Sequence, residues 1–144
     1  MDPTRADGAF ASVMVPCRVE SVRSAAAFLV QAAKDMRVSL ASDSVFELAI
    51  VEALNNAVKH GNTGRNGAMI VCELERTDDR LTVRILEQGP GFGLPLLPRP
   101  RSDPEDVMSV PDSGYGLSII QSVFPITRTI SRDGHFGLEM SVTF

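Results

Sequence analysis

The stretch ELAIVEALNNAVKHGN, residues 47–62, decides the fold class of this chain. Apolar residues recur in it at helical spacing, which predicts an amphipathic helix that ends at Gly61. Ser42 or Asp43 precedes the periodic segment and is the predicted N-cap. The residues predicted to face the core are Val45, Leu48, Ala49, Ala53 and Val58. The segment is therefore expected to be a central helix of a folded domain.

The same helix carries a polar edge. Glu52, Asn56, Lys59 and His60 follow one another at helical spacing and therefore share one face. A carboxylate and a carboxamide one turn apart suit phosphoryl transfer, because the amide oxygen can bind Mg²⁺ while the carboxylate takes a proton from a hydroxyl or water. The spacing alone is more typical of a solvated helix face than of a catalytic site, so the flanking motifs must decide between the two interpretations.

Outward from this helix, alternation and turn residues predict the other elements. A strand is expected over 11–19, and a helix from Ser21 with that serine as its cap. A hairpin over 68–75 and 81–86, a helix from Gly114 to Phe124, and a hairpin over 126–132 and 136–144 complete the chain. This order predicts an α+β fold, a two-layer sandwich of helices on one face of a mixed, largely antiparallel sheet.

Residues 89–113 differ in composition from the rest. Six of the nine prolines lie between Gly89 and Pro111, so neither a helix nor a ladder is expected to persist there. A long loop between strong elements indicates a lid over a ligand or a disordered linker, and the lid is the preferred interpretation. Residues 1–10 are expected to form a flexible tail, and residues 11–144 a single domain.

Composition excludes several classes of protein. The 144 residues have a formal net charge of −4, which argues against direct binding of nucleic acid, because that requires a basic surface. The two cysteines, Cys17 and Cys72, match no zinc or redox spacing and are expected to be reduced and buried. No apolar run is long enough to cross a bilayer, and the N-terminus does not resemble a signal peptide. A cytoplasmic protein that does not bind membranes is expected.

Two glycine-rich motifs bracket the predicted lid: EQGPGF, residues 87–92, and SGYGL, residues 113–117. A glycine turn after a strand lets the backbone approach a base or a phosphate closely. A Gly-x-Gly that leads into a helix offers free N–H groups to phosphates. Each motif alone is common in turns, but their order after the polar helix is not.

The helix with Glu52 and Asn56, the two glycine motifs and the lid between them resemble the ATPase superfamily of gyrase, Hsp90, histidine kinases and MutL. The resemblance extends from about Val13 to Phe144 and implies a Bergerat-type ATP-binding fold. Within the superfamily, residues 47–62 are most similar to the anti-sigma factor serine kinases of bacterial partner-switching systems.

The resemblance implies a role for each matching residue. Glu52 is the implied general base, and Asn56 the implied Mg²⁺ ligand. Glu87 is the implied acceptor for the adenine amino group. The remaining implied nucleotide contacts are Lys59, His60, Gly89, Gly91, Gly114, Tyr115, Gly116 and Leu117. The implied activity is Mg-ATP-dependent phosphorylation of a STAS-type anti-anti-sigma protein by a homodimer that otherwise sequesters a sigma factor.

One position departs from the family pattern. The family has aspartate where this chain has Glu87, so the charge is kept but the acceptor is moved by roughly one bond length. A hydrogen bond to a charged group contributes on the order of 1.5–3 kcal/mol, so the change bears on ATP affinity. The alternative function is therefore a partner-switching module without kinase activity. A histidine kinase catalytic domain is a third reading, disfavoured because no phosphoacceptor helix is found upstream.

Overall fold

The computed structural model describes residues 8–39, 42–60, 67–87 and 111–144, and among these it leaves aside the side chains of His60 and residues 111–116. The elements in chain order are β1 (Ala9–Pro16), α1 (Glu20–Asp35), α2 (Asp43–His60), β2 (Met69–Arg76), β3 (Arg80–Glu87), α3 (Pro111–Val123), β4 (Ile126–Arg132) and β5 (His135–Thr143).

The five strands form one sheet in the order β1-β2-β3-β5-β4, and all four strand pairs are antiparallel. Strand alternation gives the sheet two different faces. On β2 and β3 the buried apolar residues face α1 and α2, and they include Ile70, Cys72, Leu74, Val83 and Ile85. The predicted α+β class is confirmed, as are the two hairpins.

The start of α1 differs from the prediction. Its N-cap residue is Val19, which makes no side-chain capping hydrogen bond, and Ser21 lies within the first turn as a buried residue. The predicted serine cap is therefore wrong. The buried side of α1 contains Val22, Ala25 and Leu29. Packing of these residues therefore stabilises the helix in the absence of a side-chain cap.

The cap of α2 agrees with the prediction, but its buried stripe does not. Ser42 Oγ accepts a hydrogen bond from the Val45 backbone N–H at 3.4 Å. Val45 and Leu48 were predicted to be buried, yet they are 46% and 45% exposed. The buried face of α2 is centred nearer to Phe46 than predicted, because the helix packs against α1, α3 and β3 together. The fully buried members are Phe46, Ala49, Ile50, Ala53, Leu54, Ala57 and Val58.

Helix α3 begins earlier than predicted. It starts at Pro111, inside the predicted lid and three residues before Gly114. Proline suits a first helical position, because the N–H that it lacks has no intrahelical partner there. The rest of the predicted lid, residues 89–110, lies outside the described residues. At the far end, the ring of Phe124 packs on that of Phe46 with centroids 5.7 Å apart, which ties α3 to α2.

The opposite face of the sheet carries an ion-pair network around Arg84. Arg84 Nε donates to Glu139 Oε2 at 2.8 Å, and Arg84 Nη2 donates to Glu75 Oε1 at 2.9 Å. Arg128 Nε donates to the other oxygen of Glu139 at 2.7 Å. Burial opposes ionisation of Glu139, but the bonds from Arg84 and Arg128 hold its pKa below its usual value. The network therefore connects β2, β3, β5 and β4 across the sheet.

Both cysteines are buried and neither belongs to a disulfide, in agreement with the prediction. Burial raises the pKa of the Cys72 thiol to about 12, so this thiol stays neutral and behaves as a small apolar side chain. Among the described helices, none combines the length and the apolar character that crossing a membrane requires.

Candidate active site

The polar edge of α2 is present, and its residues differ in exposure. Asn56 is buried, with 9% of its surface exposed, whereas Glu52 is half-buried and Lys59 is exposed. His60 is the last residue of the helix. The structure therefore places Glu52 and Asn56 at the boundary between the core and the surface. A carboxylate there can be reached by a second molecule while its helix stays fixed by packing.

Glu87 is the last residue of β3 and points to the helix-facing side of the sheet. Alternation places it on the same side as Leu81, Val83 and Ile85, all of which are buried. Its register partners are Ile70 on β2 and Phe136 on β5, so it has an apolar residue on each side. The Glu87 side chain is 0% exposed.

The carboxyl group of Glu87 lacks a hydrogen-bond partner among the described residues. Neither of its oxygens makes a hydrogen bond within the part of the chain that the structure describes. Burial removes the water that would solvate the charged form, and it raises the pKa of Glu87 to about 7. An unpaired buried carboxyl group is costly to a protein, and such groups are concentrated at functional sites. A ligand that offers hydrogen-bond donors would satisfy it.

The second glycine motif lies within α3 and not before it. Gly114, Tyr115 and Gly116 have helical backbone, and Leu117 is 2% exposed in the core. The Leu117 side chain therefore packs inward, and a nucleotide contact by this residue stays a prediction. The amide groups of the first helical turn lack intrahelical partners, which suits them to bind an anion. Gly89 and Gly91 lie outside the described residues.

The elements that carry the candidate residues contact each other. Helix α2 packs against both β3 and α3, so the three elements that carry the candidate residues are in direct contact with one another through α2. Within the described ranges, no group of three or more His, Cys, Asp or Glu side chains could hold a metal ion.

Comparison with known proteins decides the family. The model of the histidine kinase-like ATPase domain matches residues 15–137. The chain belongs to the histidine kinase-like ATPase domain family. The match includes α2, β3 and α3, so all the elements that carry the candidate residues lie within the family domain.

Individual relatives of this ATPase domain confirm the resemblance to serine kinases. The chain is 27% identical over 119 residues to the serine-protein kinase RsbW of Listeria innocua serovar 6a, with 81% of this chain and 69% of the relative covered. The crystal structure of the RsbU and RsbW domains of Rv1364c from Mycobacterium tuberculosis superposes with a TM-score of 0.58 at 14% identity. That superposition covers 92% of this chain and 32% of the other, and it shows the shared fold.

Sequence reasoning identified Glu87 in this ATPase domain but missed its burial. The signal was present, because Leu81, Val83, Ile85 and Glu87 alternate along one strand and the first three are apolar. The sequence prediction considered only the reach of the longer side chain. In the structure, the carboxyl group is also desolvated, and burial raises its pKa.

Proposed function

We propose that this chain is an ATP-dependent protein serine/threonine kinase that also acts as an anti-sigma factor. In this proposal it binds Mg-ATP, phosphorylates a STAS-type anti-anti-sigma protein and, when that protein is absent, sequesters a sigma factor. It works as a homodimer in the cytoplasm. The observation that carries the proposal is the buried carboxyl group of Glu87, which has no hydrogen-bond partner within the described residues and lies on a strand that contacts helix α2. The similarity to RsbW supports it.

The proposed chemistry assigns one task to each residue. ATP supplies the transferable phosphoryl group, and its Mg²⁺ neutralises charge on the phosphates. Glu52 accepts the proton of the attacking serine or threonine hydroxyl, which its half-buried position permits. The amide oxygen of Asn56 binds the metal ion, and Lys59 and His60 lie one turn further along the helix, near the phosphates. Glu87 binds the base.

The remaining contacts belong to the two glycine motifs. In the proposal, Gly89 and Gly91 pass beneath the base, while Gly114, Tyr115, Gly116 and Leu117 hold the phosphates at the start of α3. The proposed domain covers residues 11–144, with a lid before α3.

Two measurements test this function. Mg-ATP should raise the melting temperature, because a ligand at one hundred times its Kd stabilises a protein by about 2.7 kcal/mol. The full chain should then transfer label from γ-labelled ATP to a serine or threonine of a purified STAS-type protein from the same organism. Binding of ATP without any labelling, at enzyme concentrations equal to those of the substrate, would contradict the kinase assignment.

The alternative is a partner-switching module of the same fold without kinase activity. The desolvated Glu87 favours it, because a longer and partly protonated acid is a poorer acceptor than an aspartate for an amino group. This reading expects the wild-type chain to bind ATP poorly at neutral pH and Glu87→Asp to bind it more tightly. Calorimetry on the two proteins separates the readings, since the kinase proposal requires ATP binding by the wild type.

A further inference from the structure

Two apolar side chains of α2 are exposed, although the helix packs against three other elements. Val45 is 46% exposed and Leu48 is 45% exposed. Within the helices, and among the residues that the structure describes, no other large apolar side chain is exposed to this extent. Single exposed apolar residues are ordinary on a protein surface, so the position of this pair decides whether it has a function.

The pair lies on the same face of α2 as Glu52. Leu48 precedes Glu52 by four residues and Val45 precedes it by seven, and these spacings align side chains along one helix face. At 1.5 Å per residue, Leu48 is about 6 Å and Val45 about 10.5 Å from Glu52 along the helix axis. Beyond Glu52 the same face continues with Asn55 and Lys59, which are both exposed. The face is therefore apolar before the proposed base and polar after it.

The two halves of this face suit different substrates. In the proposed function, Asn56 and Lys59 lie toward the phosphates of ATP, so the nucleotide occupies the side of Glu52 nearer the end of α2. The attacking hydroxyl must approach the γ-phosphate from the side opposite ADP, because the attacking and leaving oxygens lie roughly in line. The side of Glu52 that is left for the acceptor carries Val45 and Leu48.

The size of a protein–protein interface brings both apolar residues into contact with the acceptor. A stable interface covers about 800 Å² of each partner, which corresponds to a disc of about 16 Å radius. A disc of this size centred near Glu52 extends beyond both Leu48 and Val45. Large side chains near the centre of an interface, where water is excluded, contribute most of the binding energy.

We propose that Val45 and Leu48 form a docking patch for the phosphoacceptor protein, which binds there through an apolar surface beside its serine or threonine. The phosphoryl group leaves ADP and joins the acceptor oxygen, whose proton passes to Glu52. Val45 and Leu48 are positioning residues that select which protein presents this hydroxyl. The inference rests on the proposed kinase function and adds the kind of surface that its substrate presents.

The test measures steady-state labelling of the purified STAS-type protein from γ-labelled ATP, with the full chain as the enzyme. The double variant Val45→Thr/Leu48→Gln keeps the approximate size of both side chains and makes them polar. We expect it to raise the KM for the protein substrate by roughly tenfold, because two central apolar contacts are lost. The kcat and the KM for Mg-ATP should keep their wild-type values, since neither residue touches the reacting atoms.

Two control variants separate docking from other effects. Leu48→Met keeps the apolar character of the patch and should retain the wild-type KM for the protein substrate. Ile126→Gln makes the same kind of change on β4, at a position that is 50% exposed but belongs to the sheet. It should also retain the wild-type KM.

The possible results distinguish the docking patch from the kinase function. An unchanged KM for the protein substrate in the double variant would overturn the docking patch and leave the kinase function standing. An equal rise in the KM values for both substrates would assign the pair to the nucleotide site or to the fold, which also overturns the docking patch. A wild-type chain that binds Mg-ATP but neither binds nor labels the acceptor protein would contradict both.

Discussion

Gly137 on β5 lies against the backbone of Ile85 on β3. A Cβ atom built on Gly137 would lie 1.8 Å from the carbonyl oxygen of Ile85 and 2.9 Å from the Cα atom of Leu86. These are backbone atoms of a central strand, so they cannot move aside as the end of a flexible side chain can. The close approach occurs two residues before Glu87 and thus fixes the end of β3 that carries the buried carboxyl group.

Gly137→Ala is expected to destabilise the protein by an amount at the upper end of the range for overpacking, about 1–3 kcal/mol. The measurement is urea unfolding followed by circular dichroism. Gly134→Ala is the matched control, since Gly134 has open space around it but a φ of +80°. It should cost about 1 kcal/mol through backbone strain alone. A smaller effect at position 137 than at position 134 would contradict the close contact.

Glu87 should make the free energy of unfolding depend on pH. Its pKa is raised from 4.5 to about 7 in the folded state, so the folded protein binds the proton more tightly than the unfolded chain. Stability from this group is therefore complete below pH 4.5 and is lost as the pH rises through 7. The loss is at most about 3 kcal/mol.

Glu87→Gln removes this titration. The difference in unfolding free energy between the wild type and the variant should grow between pH 5 and pH 7.5 in favour of the variant. Parallel pH profiles of the two proteins in the absence of nucleotide would show that the carboxyl group is solvated in the folded state.

Glu52→Ala is expected to abolish phosphoryl transfer while sparing ATP binding. General base catalysis contributes roughly 10²–10⁴-fold, so the transfer rate should fall by that factor. Glu47→Ala on the same helix is the control, because Glu47 is exposed and lies on a different side of the helix from Glu52 and Asn56. Normal transfer by Glu52→Ala, measured with γ-labelled ATP, would assign the base to another residue.

Asn56→Ala should weaken binding of ATP only when Mg²⁺ is present. Loss of one charge-assisted contact of about 1.4 kcal/mol corresponds to about a tenfold rise in Kd. Calorimetry with Mg²⁺ and with a chelator in its place separates the metal contact from general damage to the helix. An equal loss in both conditions would mean that Asn56 has a structural role in α2, where it is buried.

Arg84→Met should destabilise the fold without affecting nucleotide binding. The substitution removes the hydrogen bonds that Arg84 donates to Glu139 and Glu75. Because both bonds are between charged groups, the free energy of unfolding should fall by about 2–3 kcal/mol. Arg128→Met is the control, and it should cost less than about 1 kcal/mol because its side chain is 67% exposed. The pKa of Glu139 is lowered in the folded state, so the stabilising effect of Arg84 requires the ionised carboxylate. This effect should disappear as the pH falls through the folded-state pKa of Glu139 and the carboxylate becomes protonated.

Local sequence signals predicted most of the elements. The hairpin of β2 and β3 and that of β4 and β5 were expected within one or two residues, because strand alternation and the Asp133-Gly134 turn act over short distances. The predicted start of α1 was wrong, since serine is a favourable N-cap residue in general but Ser21 lies in the first turn and is buried. The predicted burial of Val45 and Leu48 was also wrong. Helix α2 contacts three neighbouring elements, and their combined packing decides which of its apolar residues are buried.

The sequence by itself determined the fold class, the polar edge of Glu52 and Asn56 on one helix, and the position of an acid, Glu87, at the end of an apolar strand. These properties follow from residue order and from periods of two or 3.6 residues. Only the tertiary structure decided that Glu87 is buried between Ile70 and Phe136 and has no hydrogen-bond partner within the described residues. Desolvation depends on what surrounds a group in space, and those neighbours come from strands that are far apart in the chain.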